Sequence, residues 1–407
     1  MSRWLSIIGI GDDGIGGLSP SARSLAENAE VLIGSARHLA MIENSTAERV
    51  DWTTSVLATA EKLPTYQGRQ VCIVVSGDPM WFGAGVAVCK YVPADQRIIV
   101  PAPGSFSFLA ARLGWPLAEV ETITLHGRPF ETLHARLYPC ARLLILSENG
   151  STPARVAKAL CDAGYSESTI DVFEHLNGPE ERHVSARADL WSAETIADLN
   201  AIAVTCIAGP NAIVYSTVPG LPDDAFEHDG KLTKREVRAA TLARLAPVPG
   251  ERLLDIGLGN GSVAIEWLRA HPRNRAIGVE SKSDRRAVAA RNAAALGVPH
   301  LSIIDGLAPD ALASVDGLVD AVFIGGGIAA DGVLDAAWAK LCPEGRFVAN
   351  GVTLEARERL IHAYHTWGGE IAEIAVSRAD KVGAFTGLRP QMPVMQYAVT
   401  KPSGDEE

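Results

Sequence analysis

Long apolar runs are missing from this sequence. No stretch approaches the roughly 18 to 20 residues that a membrane-crossing helix requires, which argues against a helical span. The opening residues, Met1-Ser2-Arg3-Trp4-Leu5-Ser6-Ile7-Ile8-Gly9, pass straight into a strand-like segment instead of a leader pattern. A soluble, cytoplasmic protein with no membrane partner is the expectation. Cysteine is sparse: Cys72, Cys89, Cys140, Cys161, Cys206 and Cys342 are scattered, without the paired spacing of a zinc site or a disulfide framework, and are expected to be buried reduced thiols. Basic residues are short as well. The 37 Lys and Arg face 48 Asp and Glu, giving a net charge of -11, and no Lys/Arg cluster occurs. That balance argues against nucleic acid as a partner, because phosphate binding depends on basic patches. A metal is not expected either: His362 and His365 lie one helical turn apart with no third ligand in view, and read as a plain helix face.

What is present is alternation. Apolar, strand-like runs (Leu5 to Ile10, Val71 to Val75, Leu143 to Leu146, Leu253 to Ile256, Ala276 to Val279, Ala321 to Ile324) alternate with helix-like segments, and many are followed by polar or glycine-rich residues. This predicts an α/β fold with ligand loops at the carboxyl ends of buried strands. A chain of 407 residues is too long for one ordinary core, so two domains are expected. The rhythm breaks between Gly209 and Asp224, where Gly, Pro and Asp dominate. The predicted division is therefore 1–208, a linker at 209–227, a second domain at 228–402 and a frayed tail at 403–407. Ser19 is predicted to cap a helix with Pro20 in its first turn. A further helix is predicted from Thr233, with Thr233 as N-cap and Glu236 completing a capping box.

In the second domain, Leu253-Leu254-Asp255-Ile256 runs into Gly257-Leu258-Gly259-Asn260-Gly261-Ser262. So many glycines imply close approach of backbone to a ligand. A dinucleotide fits poorly: the third glycine falls one residue early, Ser262 takes its place, and Asp255 would repel a pyrophosphate. A cationic ligand fits better. Asp255 suits a methionyl ammonium, and Glu280, which ends the next strand, suits a pair of ribose hydroxyls; together they point to a sulfonium methyl donor. The alternative is a bare strand-to-helix turn with Glu280 on the surface.

In the first domain, Gly9-Ile10-Gly11-Asp12-Asp13-Gly14 formally matches Gly-x-Gly-x-x-Gly, but two acids would again repel a pyrophosphate. Ser76-Gly77-Asp78-Pro79 presents an acid after a strand. With Val100 to Ser107 and Leu125-His126-Gly127-Arg128-Pro129 it makes three polar loops able to converge on a crevice. Read from spacing alone, Gly77-Asp78-Pro79 is better taken as an ordinary turn.

Residues 1–208 resemble the tetrapyrrole (class III) methyltransferases in the opening glycine loop, in Gly34-Ser35-Ala36-Arg37-His38-Leu39, in Ser76 to Pro79 and in Leu125 to Pro129. The second half resembles the decarboxylating precorrin methyltransferase domain of class I, Rossmann-like fold in His228 to Arg238, in the Asp255 loop through Trp267, and in Phe323-Ile324-Gly325-Gly326-Gly327. The fused order is similar to the decarboxylating precorrin-6Y C5,15-methyltransferase family. That resemblance implies two α/β lobes in the first domain and S-adenosylmethionine as methyl donor in each domain. It implies methylation of a small-molecule tetrapyrrole at C5 by the first domain, and C15 methylation with loss of the C12 acetate carboxylate by the second, giving precorrin-8X in cobalamin biosynthesis. Carried over by motif, Asp12, Gly77, Asp78, Trp81 and Ser107 line the first cofactor; Thr233, Gly257, Gly259, Gly261, Glu280 and Ala308 join Asp255 around the second. Leu307 stands where an acid beside the adenine is common, with Asp305 as its nearest replacement, and Asn260 stands where Ser or Thr is commoner. His126, Arg128, Arg378, Lys381 and Arg389 are candidates to steer substrate carboxylates. A homo-oligomer is expected. The rival readings are a nicotinamide oxidoreductase using both glycine loops and a non-catalytic cofactor-binding protein.

Overall fold

A computed structural model describes residues 3–43, 45–52, 55–192 and 195–403. Most of the predicted tail, 404–407, and the opening Met1-Ser2 lie outside the described residues. The chain divides into two compact units, one made of Met1–Arg128 and Arg136–Ile213, the other of Pro129–Ala135 and Val214–Glu407.

In the first unit, β1 (Leu5–Ile10), β2 (Val31–Gly34), β3 (Glu48–Asp51), β4 (Val71–Ser76) and β5 (Arg97–Val100) form an all-parallel sheet in the order β3-β2-β4-β1-β5. Side chains alternate between two cores: Leu5, Ile7, Ile33 and Ile73 enter one, Ile8, Ile10, Leu32 and Val74 the other. Both faces are therefore covered, and the strands read as unbroken apolar runs. A second sheet, mixed in direction, joins β6 (Glu121–Thr124), β7 (Arg142–Leu146), β8 (Thr169–Glu174), β9 (Arg182–Arg187) and β10 (Asn200–Thr205) in the order β6-β7-β10-β8-β9. Its core gathers Leu144, Phe173, Ala201 and Ala203 against Phe106 and Leu109 of the helix Ser105–Leu113. Ser19 caps the helix Pro20–Glu27 as predicted, accepting the Ala22 amide at 3.3 Å.

The second unit is built on β11 (Arg252–Ile256), β12 (Arg275–Glu280), β13 (Ser302–Asp305), β14 (Val319–Ile324), β15 (Leu341–Gly351), β16 (Glu370–Ile374) and β19 (Val394–Thr400), in the order β13-β12-β11-β14-β15-β19-β16. A separate hairpin pairs β17 (Ser377–Val382) with β18 (Phe385–Pro390). The strands from β13 to β15 are parallel, and β19 runs against both β15 and β16. From β11 the chain winds outward to β12 and β13, then crosses to β14 on the other side. At such a reversal a crevice opens at the carboxyl ends of the strands. Leu253, Ala321 and Phe323 face one helical layer, and Leu254, Val322 and Ile324 face the other.

Three local expectations are corrected. The helix Arg235–Leu245 begins after Lys234, and no side chain caps it. Thr233 instead offers its carbonyl to Arg238 at 2.5 Å, and Glu236 is drawn away to Arg378, also at 2.5 Å. The Gly/Pro-rich stretch is not loose throughout, because Leu221 and Phe226 are buried in the core of the second unit. Of the cysteines only Cys72 and Cys206 are buried, and burial pushes both thiols up to about 12. Cys140 is exposed because it sits at a tight turn with φ +64° ahead of β7.

Candidate functional sites

At the end of β11 the backbone enters a region that side chains resist: Gly257, Gly259 and Gly261 have φ of +75°, +59° and +83°. A Cβ on Gly257 would stand 2.8 Å from the carbonyl oxygen of Gly326. The two loops at the strand reversal thus meet backbone to backbone. The Gly257 and Leu258 amides donate to the Val279 carbonyl at 3.0 and 3.1 Å, and the Gly325 amide donates to Ile256 at 3.0 Å. Around this crossing lies a cavity of about 310 Å³, lined by Thr233, Asp255, Gly257, Gly259, Glu280 and Ala308 among others.

Asp255 is buried, and its Oδ1 has no hydrogen-bond partner among the described residues. Burial, opposed by the Ala264 amide and reinforced by the charge of Glu280, pushes its carboxyl up to about 8. Such a group is largely neutral near pH 7, and a cation beside it would favour its ionised form. Glu280 is also buried, yet well served: Oε2 accepts the Gly259 amide at 3.0 Å and Oε1 the Lys282 amide at 2.9 Å. Each oxygen keeps a second lone pair for a ligand hydroxyl.

Gly261, named with these residues from the sequence, does not line the cavity. It starts the helix Ser262–Ala270, where a Cβ would crowd Ile265 and Ala289 at 3.2 and 3.3 Å. Asp305 does not replace the missing acid beside Leu307, since its carboxylate is paired with Arg286 at 2.6 Å and faces solvent. Asn260 is buried, and its carbonyl accepts from Asn292 at 3.0 Å, which steadies the loop. Three cations that line this cavity, Lys231, Lys282 and Arg285, were not singled out from the sequence. Lys231 lay inside a motif already noted, but isolated charges on a helix or turn carry no positional signal.

The first unit has a smaller cavity, about 70 Å³, lined by Asp12, Arg37, Ser76, Gly77 and Asn200 among others. Gly77, at φ +58°, passes so close to Gly104 that a Cβ would lie 2.8 Å from its Cα. Asp12 accepts from Arg37 at 2.8 Å and lies 3.2 Å from His175 Nδ1. Arg37 also donates to Ser76 Oγ at 3.1 Å, and Ser76 lies 2.8 Å from His38 Nε2. Burial and the Arg37 charge push His38 down to about 4, so it is neutral near pH 7. Asn200 Oδ1 is a second buried atom without a hydrogen-bond partner among the described residues. Asp78, Trp81 and Ser107 are not among the lining residues of this cavity. Asp78 closes its own turn by accepting the Met80 amide at 2.8 Å, Trp81 is 57% exposed and edge-on to Phe106, and Ser107 sits in the first turn of Ser105–Leu113. Arg37 belongs to a motif the sequence displayed; Asn200 had no such flag.

The substrate candidates fare unevenly. His126 and Arg128 are exposed on the turn after β6. Arg378 is held by Asp223 at 2.8 Å and Glu236 at 2.5 Å, and its cross-strand neighbour Arg389 pairs with Asp380 at 3.0 Å. Arg378, held by two carboxylates, is therefore not an open carboxylate anchor. Lys381 is exposed on the same hairpin. His362 and His365 lie on the helix Leu354–Trp367, and among the described residues no cluster of three His, Cys, Asp or Glu is placed to hold a metal.

Comparison with known proteins identifies the family. Residues 5–190 match the family described as Tetrapyrrole (Corrin/Porphyrin) Methylases, and residues 224–401 match the Precorrin methyltransferase domain. A Sinorhizobium precorrin-6Y C(5,15)-methyltransferase [decarboxylating] is 39% identical over 402 residues, spanning 98% of this chain and 97% of that protein. A Mycobacterium tuberculosis protein of the same name is 36% identical over 97% of this chain and 99% of its own length. A shorter Saccharolobus solfataricus protein, named "Probable cobalt-precorrin-6B C(15)-methyltransferase (decarboxylating)", is 31% identical over 46% of this chain and 97% of its own length. Likeness over almost the whole chain makes this protein a member of the precorrin-6Y C(5,15)-methyltransferase (decarboxylating) family, S-adenosylmethionine-dependent methyltransferases of cobalamin biosynthesis.

Proposed function

We propose that the chain methylates precorrin-6Y at C5 and C15 and removes the carboxylate of its C12 acetate side chain, giving precorrin-8X. In this reading each domain holds one S-adenosylmethionine. The C-terminal domain carries out C15 methylation and decarboxylation, and the N-terminal domain acts at C5. The observation that carries it is the buried, unpartnered Oδ1 of Asp255 at the strand reversal. A buried acceptor without a donor is costly unless a ligand completes it. The S. solfataricus relative supports the split, because a protein matching 46% of this chain is named for the C15 step and decarboxylation alone.

The residues fit the methyl donor. Asp255 would take its ammonium, Glu280 its ribose hydroxyls, and Gly257 and Gly259 would admit its chain against bare backbone. Thr233 and Ala308 close the sides of the cavity. Bound there, S-adenosylmethionine supplies an electrophilic methyl group on a sulfonium. The chain's own contribution is alignment, because an in-line displacement gains most from holding the reacting carbon about 3 to 3.5 Å from the methyl group. In the first unit, Asp12, Gly77, Ser76 and Asn200 line the corresponding cavity, and their acceptors suit a ligand rich in N–H and O–H donors.

No helix among the described residues is long and apolar enough to cross a membrane. Calorimetric titration of the full chain tests the two-site reading: it predicts two S-adenosylmethionine molecules per chain. A single site, or none, contradicts it.

A further inference from the structure

The cavity of the second unit changes sign with depth. Asp255 and Glu280 are buried, whereas Lys231 and Lys282, which also line it, are exposed and Arg285 is half-buried. In a chain of net charge -11 this is a local reversal.

Arg285 is the best defined of the three. Its Nη2 donates to Asp229 Oδ2 at 2.9 Å, and its side chain is 23% exposed. A guanidinium carries five N–H donors in a rigid fork. Among the described residues nothing accepts from Nε or Nη1 of Arg285. Lys231 reaches the same cavity from a tight turn: Gly230 adopts φ +90°, its amide donates to His228 Nδ1 at 3.0 Å, and the Lys231 amide donates to Asp229 Oδ1 at 3.0 Å. Asp229 therefore shapes the Lys231 turn with one oxygen and holds Arg285 with the other. Among the described residues no carboxylate pairs with the Lys231 ammonium.

We propose that Arg285 and Lys231, organised by Asp229, form a carboxylate-binding subsite at the mouth of the second cavity. The planar fork of Arg285 matches a carboxylate along its free edge, and Lys231 adds a point charge. The role expected of Arg378 and Arg389 passes to these two residues, because neither Arg378 nor Arg389 lines the cavity. Two ligands bring a carboxylate to this place: the methyl donor through its own α-carboxylate, and the macrocycle through its acidic side chains. The inference rests on the second cavity being a methyl-transfer centre.

The test uses the full chain and the variants Arg285→Gln, Lys231→Gln and Arg285→Lys. Each is titrated calorimetrically with S-adenosylmethionine and with its decarboxylated analogue, reading the binding component that Gly257→Ala abolishes. Each is then assayed at varied precorrin-6Y. Loss of one charged hydrogen-bonding partner predicts a weakening of roughly tenfold or more, with part recovered in Arg285→Lys. If S-adenosylmethionine weakens and the analogue does not, the subsite holds the donor's carboxylate. If both titrations stay at wild-type values while KM for the macrocycle rises, it holds a substrate carboxylate. Variants equal to wild type in every reading overturn the subsite and leave methyl transfer standing, whereas a wild-type chain that transfers no methyl group overturns both.

Discussion

A carboxyl group sealed from water avoids an unpaired charge by keeping its proton when alone or by giving it up to a cation, and the proposed role of Asp255 uses both. Its raised value of about 8 fixes the sign of two effects. An unfolded aspartate loses its proton near pH 4, so between about pH 4 and about pH 8 the native state binds more protons than the unfolded one. Stability of the ligand-free second unit must therefore fall as pH rises through that window and level off above it. Urea unfolding at pH 5 and pH 8.5 should show the decline in wild type and lose it in Asp255→Asn. The second effect concerns binding. An arriving ammonium favours the ionised carboxylate, so at pH 7 the wild-type chain should release protons on taking up S-adenosylmethionine, detectable as a dependence of the calorimetric heat on buffer ionisation. Asp255→Asn should release none at this site and bind there roughly 10- to 100-fold more weakly. Equal proton release in wild type and variant would remove Asp255 from the ammonium role.

Among the elements, the loop after β11 depends on having no side chain at Gly257, and the segment that leads to Lys231 and Thr233 depends on one buried arginine. Gly257→Ala places a methyl group within 3 Å of Gly326 at a φ of +75°, a conformation that costs an L residue about 1 to 2 kcal/mol before any clash. It should abolish methyl-donor binding in the second unit and leave the first unit's site filled, one equivalent per chain instead of two. Arg238 is fully buried, donating to Glu266 at 2.5 Å, to Thr233 at 2.5 Å and to the Leu221 carbonyl, with Phe226 stacked 4.8 Å from its guanidinium. Arg238→Ala strands the Glu266 charge and should cost about 3 to 5 kcal/mol in urea unfolding, with much of that loss recovered in the double variant with Glu266→Gln. Much of this architecture was legible in advance: the six predicted strands are all strands, because strands buried on both faces read as continuous apolar runs. The glycine loop and its two acids were legible for the same kind of reason, since positive φ and a strand-end carboxylate leave a local signature. What stayed hidden was long-range pairing. Glu236 fits a capping box until Arg378, 142 residues away, claims it. Gly261 reads like its neighbours until the helix it starts is seen to pack on Ala289. Asn200 and Arg285 reach their cavities by strand order and helix packing, which residue spacing does not encode.

Across the whole molecule, each unit brings a glycine turn to the carboxyl end of a parallel strand, Gly77 after β4 and Gly257 after β11, by different sheet topologies. The family describes a reaction with two methyl transfers and one decarboxylation, and two independent centres are the economical way for one chain to supply it. Separate damage to each centre should therefore leave different partial products. A chain blocked by Gly257→Ala should yield a macrocycle bearing one new methyl group with its acetate intact. The central claim is tested most directly by incubating the full wild-type chain with precorrin-6Y and methyl-labelled S-adenosylmethionine and measuring the mass of the product. The account predicts a gain of two labelled methyl groups and the loss of one carbon dioxide. A product carrying one methyl group, or two methyl groups with every carboxylate retained, would contradict it.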